Sequence, residues 1–120
     1  MLQILNRTKN TVLADRVQEA TSKKEKTIGL LRHSILPTGH GLLIPECTSV
    51  HTFFMKFAID VVFIDEYGCV IKQYENVVPF RIARANKAAK SVIELPAYTL
   101  RRTNTEVDDR LELISVIQPF

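Results

Sequence analysis

The stretch Ser49-Val50-His51-Thr52-Phe53-Phe54-Met55-Lys56-Phe57-Ala58-Ile59-Asp60-Val61-Val62-Phe63-Ile64-Asp65 decides the fold. It is almost wholly β-branched or aromatic, a composition that suits a pleated and half-buried surface. His51, Met55, Lys56 and Asp60 interrupt it, and polar groups inside such a run need either a partner or a role. The pattern predicts two central strands, Val50–Met55 and Ile59–Ile64, or one bent strand through both. Glu66-Tyr67-Gly68 is a tight turn, after which Cys69–Tyr74 returns antiparallel to Val61–Ile64.

Outward from this segment the strand signals continue. Leu2–Leu5 and Thr11–Ala14 flank the polar turn Arg7-Thr8-Lys9-Asn10 and read as a hairpin, which Val17 and Ala20 extend. Ser22 and Glu25 form a capping-box pattern before a helix expected from about Lys23 to His33. Its crowded Lys23, Lys24 and Lys26 oppose the helix dipole, so packing has to hold it. Pro37–Gly41 is a turn, and Leu42-Leu43-Ile44 is a short buried strand ended by Pro45. Pro79–Lys90, basic and poor in core residues, reads as a loop with a partial helical turn. Ser91–Leu95 is a strand ended by Pro96, and Leu111–Ile117 is the last strand. The fold class is mainly β (α+β): a small antiparallel barrel-like or sandwich domain with one or two short helices.

The chain has 120 residues, 46% hydrophobic and 24% charged, which fits one domain over residues 1–120 with one core. No apolar run approaches the ~20 residues that cross a bilayer, and the N-terminus shows no secretion signal, so the expectation is a cytoplasmic protein without a membrane span. In that compartment Cys47 and Cys69 are expected as reduced thiols. The net charge of +3 is uneven: seven Lys/Arg against three acids in residues 1–33, two against five in 34–80, seven against five in 81–120. Basic flanks could meet a phosphate backbone, but no recognised nucleic-acid motif accompanies them, so nucleic-acid binding is the weakest of the readings.

The order of motifs resembles a known family. Thr27-Ile28-Gly29-Leu30-Leu31-Arg32, Gly41-Leu42-Leu43-Ile44-Pro45, Cys47 to Met55, Ile59 to Asp65 with Gly68, and Val92-Ile93-Glu94-Leu95-Pro96-Ala97 together resemble domain of unknown function 192, a set of small prokaryotic proteins. The likeness covers nearly the whole chain and is most specific at His-Thr-Phe-x-Met followed by Ile-Asp-Val. It implies a fold and motif placement, with no biochemical activity attached. Tyr98 stands where the family pattern usually has glycine, so the sequence argues against a positive-φ turn there. Ala58 replaces a common proline and permits a more continuous strand.

The candidate site follows from the interrupting residues. Cys47, His51 and Met55 recur every four residues and would share one face of a strand, a donor set suited to a thiophilic ion. Four residues of strand span about 13 Å, too far for one coordination shell, so no metal and no cofactor is expected. A nucleophile reading pairs Cys47 with His51, oriented by Asp60 or Glu94. Asp60, flanked by apolar neighbours, calls for a cationic partner such as Lys56, Arg32, Arg81 or Arg84. A ligand reading makes His51, Thr52, Met55, Lys56 and Asp60 a small cleft, with Lys56, Asp60 and Glu94 as a polar floor beside His51. The leading expectation is a non-enzymatic accessory or ligand- or partner-binding module. The alternative is a Cys/His-dependent or metal-assisted hydrolase, and whether the protein is an enzyme stays open at this point.

Overall fold

A computed structural model describes residues 1–20, 35–53 and 55–116. Among the described residues nine strands and one short helix follow in order: β1 Leu2–Asn6, β2 Thr11–Glu19, β3 His40–Pro45, β4 Ser49–His51, β5 Ile59–Ile64, β6 Val70–Val77, β7 Ile82–Arg84, β8 Ser91–Pro96, α1 Thr99–Arg102 and β9 Leu111–Ser115. Seven of them form one sheet in the order β6-β5-β8-β3-β2-β1-β9, and β4 pairs with β7 in a separate two-stranded ribbon. The helix expected over 23–33 lies outside the described residues.

The sheet curls until its edges meet. Cys69 and Arg110 form an antiparallel bridge between the β6 and β9 ends. Gly68 O accepts from Leu111 N at 2.8 Å, and Asp109 O accepts from Val70 N at 2.9 Å. Gly68 is needed at this seam. Its φ is +86°, and a Cβ there would lie 2.3 Å from the Leu111 carbonyl oxygen. The result is a mainly β fold, as the strand pattern predicts, and of the barrel-like and sandwich forms expected it is a curled half-barrel.

Two features differ from the sequence expectation. β2 and β3 pair in parallel, Arg16 opposite His40 through Glu19 opposite Leu43. A parallel pair needs a long crossover, and the segment between Glu19 and His40 supplies it. The basic stretch 79–90, expected as a loop with a helical turn, instead contributes β7, whose Ala83 is buried between exposed Ile82 and Arg84.

β5 is buried at all six positions, which is why its sequence is continuously apolar apart from Asp60. Alternation divides its side chains between two cores. Val62 and Ile64 join Ile4, Leu13, Val17, Ile93 and Leu95 on one face of the sheet. Ile59, Val61 and Phe63 join Leu42, Ile44, Met55 and Val92 on the other. The β4–β7 ribbon lies over this second face through Val50 and Ala83.

Asp60 points to the first face, and its partner is not the cation expected from sequence. Its carboxylate accepts from the backbone N–H of Leu100 and Asn76, both at 2.8 Å, and of Tyr98 at 3.3 Å. Burial pushes the carboxyl above its ordinary value, and the three backbone donors pull it back part of the way. Asp60 thus fastens the β8–α1 corner to the β6 end. The corner also corrects the expectation at Tyr98, which takes the left-handed conformation at φ +71° without being glycine. Its amide bond to Asp60 helps to hold that strained turn. A second carboxylate, Asp109, fixes the following loop by accepting from Asn6 Nδ2 at 2.9 Å, Lys9 Nζ at 3.0 Å and Glu106 N at 3.0 Å.

Candidate functional site

The quoted stretch does not run through as one strand. β4 ends at His51, a turn and bend occupy the residues before Ile59, and Ala58 does not extend β5. Thr52 explains the break. Its Oγ1 donates to Val78 O at 2.7 Å and accepts from Arg81 N at 2.9 Å, while its backbone N donates to Arg81 O at 2.9 Å. Its carbonyl accepts from Met55 N and Phe80 N, both at 3.2 Å. A buried threonine thus gathers the chain on either side of the ribbon, which favours a tight turn over a continuing ladder.

The ribbon presents two different faces. Cross-strand pairs are Ser49 with Arg84, Val50 with Ala83, and His51 with Ile82. Val50 and Ala83 face the core, and Ser49, His51, Ile82 and Arg84 face outward. Next to this outer face three rings follow one another. The His51 and Phe53 centroids are 5.2 Å apart, and those of Phe53 and Phe80 are 6.3 Å apart. Phe80 is 63% exposed and Ile82 49%, with Val78 exposed nearby. Arg81 and Arg84 are both exposed in the same segment, Arg81 Nη1 donates to Phe80 O at 3.3 Å, and among the described residues no ion pair reaches either arginine. Tyr74 on β6 holds β7 in place, its hydroxyl donating to Arg84 O at 2.6 Å.

The other candidates take different places. Cys47 is half-buried against the second core, and its Sγ donates to Ser49 O at 3.0 Å. No hydrogen bond joins it to His51 among the described residues, so the expected nucleophile–base contact is not formed. Cys69 is likewise a free thiol. Met55 is buried in the second core and Lys56 is exposed. Among the described residues, no three His, Cys, Asp or Glu side chains gather closely enough to hold a metal ion.

Glu94 lies in the middle of β8 between Leu42 of β3 and Val61 of β5. Alternation puts it on the second face, opposite to Asp60, so the two acids do not share a pocket floor. It is 5% exposed, and among the described residues no donor reaches its carboxyl. Burial alone raises it from the ordinary 4.5 to about 7. Burial therefore favours the protonated form of this carboxyl, which can donate a hydrogen bond, over the charged one. Of the expected site residues the structure brings together His51 and Thr52 at the ribbon, with Met55 bonded to Thr52. Asp60 is placed elsewhere.

The sequence offers no sign of Phe80 and Ile82 as surface groups, and points to Arg81 and Arg84 only as possible partners of Asp60, a role the structure gives instead to backbone amides. The available signal was the Ile-Ala-Arg alternation, too short to stand out within a basic stretch. Phe53, inside the quoted segment, carries no sign beyond its strand-forming character.

The comparisons with known proteins bear on the family and the fold. A UPF0127 protein of Pyrococcus abyssi is 31% identical over 118 residues, covering 93% of this chain and 97% of that one. A UPF0127 protein of Thermococcus sibiricus is 28% identical over 113 residues, covering 91% and 73%. The fold is shared with a candidate transcription regulator from Sinorhizobium meliloti 1021, at a TM-score of 0.79 and 24% identity over 92% of this chain and 90% of that one. It is shared also with a protein of unknown function from Novosphingobium aromaticivorans, at a TM-score of 0.79 and 17% identity over 92% and 82%. The family model of domain of unknown function 192, described as an uncharacterised ACR, matches residues 4–113, and the chain belongs to that family.

Proposed function

We propose that this protein is a partner-binding module whose recognition surface is the outer face of the β4–β7 ribbon, and that it takes an acidic protein segment carrying an apolar anchor. The observation that carries this reading is the run of His51, Phe53 and Phe80 rings beside exposed Ile82, on a ribbon set outside the main sheet. Aromatic groups and arginines are the side chains that carry most binding energy at protein interfaces, and exposed apolar patches mark such sites. Arg81 and Arg84 supply the charge complement for carboxylates flanking the anchor. Rings with arginines could also stack on bases. Ile82 and Val78 have no π-face for stacking, which favours a protein segment. The sheet and Thr52 hold the patch in place before binding, which lowers the ordering cost of association.

Selection from a displayed random peptide library tests the reading. Enriched sequences are expected to place Asp or Glu beside Phe, Leu or Ile, to bind more weakly as salt rises, and to lose Ile82→Asp and Arg84→Glu variants by about tenfold or more. Basic enriched sequences, variants that bind as well as the parent, or tighter binding of a single-stranded oligonucleotide than of any selected peptide would overturn it.

A further inference from the structure

The ribbon has an edge as well as a face, and its backbone pairing determines which groups that edge presents. Ala85 N donates to Thr48 O and Thr52 N donates to Arg81 O, both at 2.9 Å, on either side of the paired residues Ser49–His51 and Ile82–Arg84. Bonded pairs alternate along an antiparallel ladder, so Val50 turns its N–H and C=O toward β7, and Ser49 and His51 turn theirs away from it. Arg84 shows the same parity from the other strand. Its N–H donates to the Tyr74 hydroxyl at 3.3 Å, and that hydroxyl donates to Arg84 O at 2.6 Å, on the side of β7 away from β4.

Tyr74 therefore occupies the β7 edge at Arg84, and the edge of β4 is the open one. Cys47 Sγ donates to Ser49 O at 3.0 Å. Among the described residues no other bond reaches the Ser49 N–H or the N–H and C=O of His51 on that side. Both residues are exposed. A strand edge with unpaired donors and acceptors is a template for a further strand.

We propose that the partner segment binds as an extended third strand, antiparallel on the open edge of β4, and presents an apolar residue followed two positions later by a carboxylate. This inference rests on the reading of the ribbon as a partner surface and adds the conformation and the motif. His51 exchanges two backbone hydrogen bonds with the residue opposite it, whose side chain then stands on the outer face beside the His51 ring. That residue is the apolar anchor. Two positions on, the next outward side chain lies beside Ser49, and the same row continues across the ribbon to Arg84. Two strand spacings are about 10 Å, a gap that an arginine and a glutamate side chain close together, and the short Ser49 side chain leaves the way between them clear. The antiparallel direction fixes the order, because the reversed motif would set the carboxylate beside His51 and the anchor beside Ser49.

Amide NMR titration of the isotope-labelled protein with capped peptides tests it. The probes are acetyl-Thr-Phe-Thr-Glu-Thr-amide, the reversed acetyl-Thr-Glu-Thr-Phe-Thr-amide, and two forms of the first methylated on one backbone nitrogen. A methyl on the Phe nitrogen removes the donor to His51 O, and a methyl on the nitrogen of the next Thr points away from β4. The first peptide and the form methylated at that Thr are expected to shift the Ser49, Val50 and His51 amides saturably. Reversal, or methylation at Phe, is expected to weaken binding about tenfold. Arg84→Gln should weaken binding of the first peptide and leave unchanged that of its analogue with Gln in place of Glu. Library-selected peptides that bind the ribbon with anchor and acid three or four positions apart, or with indifference to methylation at the anchor, overturn the extended pairing and leave the partner surface standing. Ribbon amides silent to every peptide, selected or designed, overturn both.

Discussion

Replacement of Glu94 by glutamine should change how stability depends on pH, and the magnitude follows from the burial of the side chain. Glu94 lies between Leu42 and Val61 in the middle of the sheet, and its carboxyl is raised from 4.5 to about 7. Between those two values the folded chain holds a proton that the unfolded chain has released. Stability therefore falls as pH rises: the contribution is complete below about 4.5 and gone above about 7. At 1.36 kcal/mol per pH unit, the interval corresponds to about 3 kcal/mol. Glutamine cannot ionise, so Glu94→Gln should lack this slope and be the more stable protein at pH 8. Its buried amide has its own unmet bonds, a cost of about 1–3 kcal/mol that lowers the variant equally at every pH.

Urea unfolding at half-unit steps from pH 4.5 to 8 measures both proteins. Subtracting the two curves removes every contribution that the two proteins share. Asp109 and Glu112 have lowered values and act at more acid pH. A difference that declines by roughly 3 kcal/mol across the window supports the placement of Glu94. A flat difference curve would mean that the carboxyl is solvated or paired, and would refute the reasoning.

Three further outcomes test the frame. Asp60→Ala leaves the Asn76, Tyr98 and Leu100 amides without their acceptor and should cost about 3 kcal/mol or more in urea unfolding. Gly68→Ala forces a Cβ against the Leu111 carbonyl at a positive φ, and should lower stability by at least about 2 kcal/mol while loosening amide-exchange protection at the seam. Tyr98→Gly relieves a left-handed tyrosine that is largely exposed, and a rise of about 1 kcal/mol is expected, with unchanged spectra elsewhere.

The parts of the fold legible in sequence are those where local chemistry and burial coincide. Ile59–Ile64 reads as a buried strand because apolar β-branched residues fill both of its faces. Asp65–Gly68 reads as a turn because glycine alone suits its last position. The hairpin at residues 2–19 follows from alternation on both sides of a polar turn. Other features depend on distant chain. Asp60 was expected to need a cation, because the amides that satisfy it come from Asn76, Tyr98 and Leu100 and leave no trace in the surrounding sequence. Thr52 sits in a run of strand formers, yet its bonds to Val78 and Arg81 turn the chain. β7 is three residues long, and its pairing with β4 decides its structure more than its own propensity does. The candidate site was legible in part: His51 and Thr52 were singled out, while Phe80 and Ile82 become neighbours of His51 only after the ribbon forms.

The most direct test of the binding account is residue-resolved NMR during addition of a library-selected acidic peptide bearing an apolar anchor. The account predicts progressive, saturable shifts concentrated at His51, Phe53 and the 80–84 segment, abolished by Ile82→Asp. Shifts spread over the β8–β3 side of the sheet, with the ribbon silent, would contradict it.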